Sequence, residues 1–234
     1  MTEQIACSTL RPTLRMLSDE QIRTIHNTSL DILSGTGIEM RHEGARTLLL
    51  GAGAWQSGDR IKIPEHLVMQ ALRTAPSRIP MHNRLGQLTM PLEEGKVYFG
   101  TGSDCQFTWD LETRERRPAV AEDVRRFAQL CDGLDQIDFV MSMGTPSDVP
   151  AMDHYVHSFI QMIRGTVKPN VYTAQNHQDM EDIYTIACAV AGGEAELRAK
   201  PFMLLYAEPI SPLLLNQESV GNLLFCAEKG IPGA

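Results

Sequence analysis

One carboxylate, Glu208, stands at the tip of the apolar run "PFMLLYAEPISPLLL" (residues 201–215), between Ala207 and Pro209. A charged carboxylate shut into such a run is destabilising unless a cation or a ligand meets it, so Glu208 either ties neighbouring segments together or serves a bound molecule. Polar residues end three earlier apolar stretches in the same way: Thr101, Ser103 and Asp104; Thr145, Ser147 and Asp148; Gln175, Asn176 and His177. Asp104 is either a second functional carboxylate or a turn or helix-capping residue. Gly100 and Gly102 permit a tight turn and close backbone approach to a ligand, or form a strand-end bulge. Tyr98, Phe99, Trp109, Tyr155 and Tyr206 either cage a cationic methylammonium group, with about 0.5–2 kcal/mol from each cation–π contact, or fill the core as strand aromatics usually do. The expected binding set is Glu208, Asp104, Asn176, Tyr98, Tyr206, Gly100 and Gly102, with Phe99, Trp109 and Tyr155 as further aromatic candidates.

Other chemistries find less support. His154 and His157, with Asp153, lie three residues apart, whereas zinc helices use a spacing of four with a further ligand elsewhere, so no metal site is expected. Ser211 has no G-x-S-x-G setting, and no strand-to-helix turn carries G-x-G-x-x-G. Five scattered cysteines, Cys7, Cys105, Cys131, Cys188 and Cys226, give neither a disulfide framework nor a C-x-x-C pair and fit a reducing cytoplasm. A net charge of −8 argues against nucleic acid as a partner, and Arg114, Arg116 and Arg117 read as a solvated loop. No secretory leader or run of about 18 apolar residues predicts a membrane partner.

The elements that must position these groups follow from periodicity. "LSDEQIRTIHNTSLDILSGTG" predicts a helix capped by Ser18 with Gln21 three residues on and stopped at Gly35. "HEGARTLLLGAG" and "PEHLVMQALRTA" predict two more helices, and "IPMHN", "LTMPL", "KVYFG" and "FTWDL" predict short strands. Residues 1–95 therefore form a helical and β-rich elaboration, followed over 96–234 by four strand, loop and helix units of about forty residues each, the pattern of helix-covered parallel strands. The expected class is α/β, a (β/α)8 TIM-barrel type of which only about the first four βα units are present in a truncated chain. In such folds ligands bind at the carboxyl ends of the strands, where Glu208, Asp104 and Asn176 fall.

The segments "LSDEQIRTIHNTSLDILSGTGIEM", "IKIPEHLVMQALRTAPSRIPMHNR", "VYFGTGSDCQFTWDLETRERRPAVAEDVRRFAQLCDGLDQIDFV", "VKPNVYTAQN" and "YAEPISPL" occur in order, and residues 16–234 resemble the trimethylamine methyltransferase (MttB) family of corrinoid-dependent methyltransferases. The resemblance implies a (β/α)8 barrel about twice as long, inactive as this fragment alone. It implies transfer of a methyl group from trimethylamine or a quaternary amine such as a betaine to the Co(I) of a partner corrinoid protein. The corrinoid (cobalamin) would be carried by that partner and not bound directly, and the expected full-length state is a homo-oligomer. Some members use a pyrrolysine in the carboxy-terminal half, and no catalytic residue carries over to this sequence. The alternative is a non-catalytic barrel that binds a methylamine or betaine.

Overall fold

In a computed structural model the structure describes residues 15–234, so Cys7 and the extreme amino terminus lie outside the described residues. Helix α1 (Asp19–Asp31) begins as its sequence dictates: the Ser18 hydroxyl accepts the Gln21 N–H at 3.2 Å, and the Gln21 side chain accepts the Ser18 N–H at 2.8 Å. It does not stop at Gly35. The chain winds on through a π-helical turn, Ile32–Thr36, and is released at Gly37, where φ is +74° and an added Cβ would lie 2.5 Å from the Ile61 carbonyl oxygen. Both the left-handed backbone and the close approach demand glycine there.

Strand β1 (Glu39–Met40), helix α2 (Glu43–Gly51), the hairpin of β2 (Trp55–Ser57) and β3 (Arg60–Lys62), and helix α3 (Glu65–Thr74) follow. Ile38, Met40, Ala45, Ala54 and Ile61 make their core, which Val220 joins from far along the chain. A second hairpin pairs β4 (Arg78–His82) with β5 (Leu88–Glu93). Its turn is held by the Asn83 side-chain oxygen, which accepts the N–H groups of Leu85 and Gln87 at 3.0 Å. A third, small hairpin joins β6 (Phe107–Trp109) and β7 (Arg116–Pro118).

The remaining elements are α4 (Ala121–Asp132), α5 (His154–Gly165), β8 (Asn170–Tyr172), α6 (His177–Ala191), α7 (Glu194–Ala199), β9 (Met203–Leu205), β10 (Leu214–Leu215) and α8 (Gln217–Lys229). Five extended segments run parallel in chain order. Gly100 bridges Phe139 and Cys105 bridges Gly144, Val140 bridges Asn170, β8 pairs with β9 from Asn170↔Met203 to Tyr172↔Leu205, and Leu205 bridges Gly233. A helix lies in every crossover, as parallel pairing requires. "KVYFG", expected as a regular strand, is extended chain that enters this ladder only at Gly100, because the Thr101 side chain takes the next rung, bonding Met141 N and O at 2.8 and 3.0 Å. The fold is mixed α/β.

Strand alternation sorts the core into two layers. Val140, Tyr172, Met203 and Leu205 face the helices and pack with Val124, Phe159, Met162, Met180 and Ile183. Val171 and Leu204, with Phe139 and Met141, face the other way and pack on Met81 and Met90 of the β4–β5 hairpin. That hairpin is tied to the amino ends of the ladder: His82 N–H donates to the Pro201 carbonyl at 2.8 Å and Arg84 N–H to that of Val167 at 2.8 Å. The carboxyl ends are left to the loops. No helix among the described residues is long and apolar enough to cross a membrane.

Candidate functional site

The ladder continues past Leu205, since Tyr206 N–H donates to the Tyr172 carbonyl and Ala207 N–H to that of Ala234, both at 2.8 Å. Tyr206 and Glu208 therefore follow Leu204 on the inner face, two and four residues further toward the carboxyl end. They line a cleft of about 180 Å³ together with Asp104, Tyr155, Thr173 and Asn222. Each wall comes from a different element: Asp104 from the loop after the first strand, Tyr155 from the first turn of α5, Thr173 from just beyond β8, and Asn222 from α8. Among the described residues, no Lys, Arg or His side chain lines it. The charge of the cleft is that of its two carboxylates.

Asp104 adopts a left-handed backbone, φ +62°, which costs a residue with a side chain about 1–3 kcal/mol unless its surroundings impose it. The Ser103 hydroxyl donates to its Oδ2 at 2.6 Å. Asp104 does not cap α4, whose first N–H is met at 2.8 Å by Asp148 Oδ1, while the left-handed backbone of Asp104 is that of a turn residue. The Tyr206 hydroxyl donates to Glu208 Oε1, and that bond and the carboxylate charge push the phenol upward. Tyr155 is pushed upward as well, first by burial and then by the Asp104 charge. Both phenols therefore stay protonated at neutral pH, as neutral aromatic walls beside exposed carboxylates.

The other expected residues lie elsewhere. The Asn176 side chain accepts the Asp179 N–H at 3.0 Å and caps α6. The Tyr98 hydroxyl donates to the Pro91 carbonyl at 2.9 Å, and its ring packs in the layer under the β4–β5 hairpin. A Cβ at Gly100 would lie 2.3 Å from the Phe139 ring, so this glycine serves packing, while Gly102 has open space around it. Phe99 and Trp109 are exposed and outside the cleft. Among the described residues no group of three or more His, Cys, Asp or Glu side chains is arranged to hold a metal ion.

Asn222 escaped sequence reasoning. It is 2% exposed, on the buried stripe that α8 forms with Val220 and Cys226, and its side-chain N–H donates to the Ala174 carbonyl at 3.1 Å. A lone amide on an apolar helical stripe was the available signal, although the stripe alone does not tell which loop the amide will reach.

Comparison with known proteins adds to this geometry. The family model described as "Trimethylamine methyltransferase (MTTB)" matches residues 3–233. Among curated proteins, the chain is 28% identical over 217 residues to trimethylamine methyltransferase MttB of Desulfitobacterium hafniense (strain DSM 10664 / DCB-2), covering 92% of this chain and 44% of that protein. It is 24% identical to the glycine betaine methyltransferase of Desulfitobacterium hafniense (strain Y51), covering 94% and 46%. It is 28% identical to trimethylamine methyltransferase MttB1 of Methanosarcina acetivorans, again covering 94% and 46%. The chain spans somewhat under half the length of these relatives.

Proposed function

The chain belongs to the trimethylamine methyltransferase family, and from that premise we propose that its cleft holds a methylated ammonium ion whose methyl group passes to the Co(I) of a separate corrinoid protein. The ladder supplies strands one to five of a (β/α)8 barrel, a reading supported by five parallel segments in chain order with a helix in every crossover. The protein works in the cytoplasm, as a homo-oligomer at full length, and the corrinoid is a co-substrate carried by its partner. One observation carries the reading: Asp104 and Glu208, 104 residues apart in the sequence, line one small cleft together with Tyr155 and Tyr206.

The chemistry assigns these residues a definite share. The Co(I) electron pair attacks the methyl carbon, the carbon–nitrogen bond breaks, and its electron pair stays on nitrogen as the cation becomes a neutral amine. Positive charge on nitrogen falls along this path, so carboxylates stabilise the bound cation more than the transition state. Asp104 and Glu208 therefore bind and orient, with the phenols helping to exclude water and to hold the methyl outward. Tyr206 fixes Glu208 through its hydroxyl.

The test is Glu208→Gln in the complete gene product, assayed with a reduced corrinoid protein by the loss of the Co(I) absorption band. Amine binding or methyl transfer should weaken by about tenfold or more, with the larger part in KM. Unchanged kinetics would remove Glu208 from the site, and binding without turnover would mark a binding protein.

A further inference from the structure

The charge that lines the cleft has one sign. Asp104 and Glu208 supply it, and among the described residues no Lys, Arg or His side chain stands with them to offset it. The other groups that could meet an anion there are neutral or already engaged. The Tyr206 hydroxyl donates to Glu208, and Tyr155, Thr173 and Ser219 offer only uncharged hydroxyls. The amino end of α8, a usual place for an anion, is met by the protein itself: the Asn216 side chain accepts the Ser219 N–H at 2.7 Å, and Glu218 occupies the first turn.

We propose that the cleft selects among methylated ammonium ions by charge, taking simple cations such as trimethylammonium and rejecting those, such as glycine betaine, that carry a carboxylate of their own. This rests on the cation-binding reading above and deepens it. The positive head of either ligand gains the same attraction from Asp104 and Glu208. In a space of about 180 Å³, a carboxylate borne by the ligand lies within about 10 Å of both, one Debye length at moderate salt, and is repelled by each. A neutral hydroxyl can hydrogen-bond that carboxylate but does not offset two like charges.

Calorimetric titration of the complete gene product with glycine betaine and with its amide, (carbamoylmethyl)trimethylammonium chloride, isolates the charge, because the two share the trimethylammonium head and nearly the same shape. The amide should bind at least about tenfold more tightly. Glu208→Gln should narrow that gap, since it removes attraction for both ligands and repulsion for betaine alone; a gap left as wide would overturn the proposal. Should the variant fail to fold, salt decides with the wild type: raising it from about 0.01 M to about 1 M shortens the Debye length from about 30 Å to about 3 Å and should narrow the gap. A gap indifferent to salt would be one of shape and would also overturn it. Betaine binding as tightly as the amide would overturn the selection by charge and leave the cation site standing. Failure of both ligands and of trimethylammonium to bind would overturn the cation site as well.

Discussion

Tyr206 and Glu208 reach the cleft at the end of the run that carries β9, with Leu205 before them and Ala207 between them lining it as well. Leu204 faces inward, so Tyr206 and Glu208 do also, and that much is legible in "LLYAEP" once the run is taken as a strand. Asp104 is legible only by its place at the end of the first extended segment, since its left-handed backbone breaks the alternation. Tyr98 and Asn176 share the type and place of site residues, yet their partners, the Pro91 carbonyl and the Asp179 N–H, emerge only when the chain folds. Asn222 is the converse, since its partner sits 48 residues away on another loop. At this scale a glycine gives a sharp prediction. A Cβ at Gly165 would lie 2.6 Å from both Ala128 Cβ and the Arg125 carbonyl oxygen, where α5 crosses α4. Gly165→Ala should lower stability by about 1–3 kcal/mol in urea unfolding, because neither helix can move without disturbing the buried Val124 and Phe159.

Among the elements, the β6–β7 hairpin is joined to α4 by one guanidinium. Arg117 bonds both oxygens of Asp123, at 2.7 and 3.0 Å, and Asp110 Oδ2 at 3.2 Å. The Asp123 carboxyl is lowered chiefly by Arg117; the Asp110 carboxyl is lowered to about 2, first by the Thr113 N–H and then by Arg117. Both carboxyls titrate near 4 in the unfolded chain, so the folded state binds fewer protons between those values. Their stabilising contribution is present above about pH 4 and is lost as pH falls through the lowered folded values, which for Asp110 is about 2. Thermal melting of the wild type should thus show a steep loss of Tm on acidification in this window. Arg117→Met should lower Tm at neutral pH and flatten that slope; an unchanged slope would show that the guanidinium does not set it. The arginines of this loop read from sequence as solvated, and Arg117 is tied down instead, because the spacing of Asp110 and Asp123 around it becomes geometry only when β6 and β7 pair.

Across the whole molecule, the expected division at residue 95 meets a core that spans it. Met81 and Met90, 0% and 2% exposed, pack on Val171 and Leu204, so the β4–β5 hairpin closes the inner face of the ladder on the side away from the cleft. Met81→Ala should cost about 2–5 kcal/mol and lower the melting of hairpin and ladder together in one transition. A separate early transition confined to residues before 95 would contradict this shared core. Periodicity announced the longer helices well, because each rests on local pattern, but not the short α7, and of the strands of the four expected units only the third and fourth are regular, as β8 and β9. The pairing of the hairpin with the ladder was not legible, since Met81 and Val171 are linked by nothing but tertiary contact.

The central claim, that the carboxyl ends of the parallel segments hold a methylated ammonium ion between Asp104, Glu208 and two phenols, is tested most directly by nuclear Overhauser effects from the N-methyl protons of bound trimethylammonium. Enhancements to the ring protons of both Tyr155 and Tyr206 are predicted. Enhancements to Tyr98 or Phe99 in their place, with none to Tyr155 and Tyr206, would contradict the account.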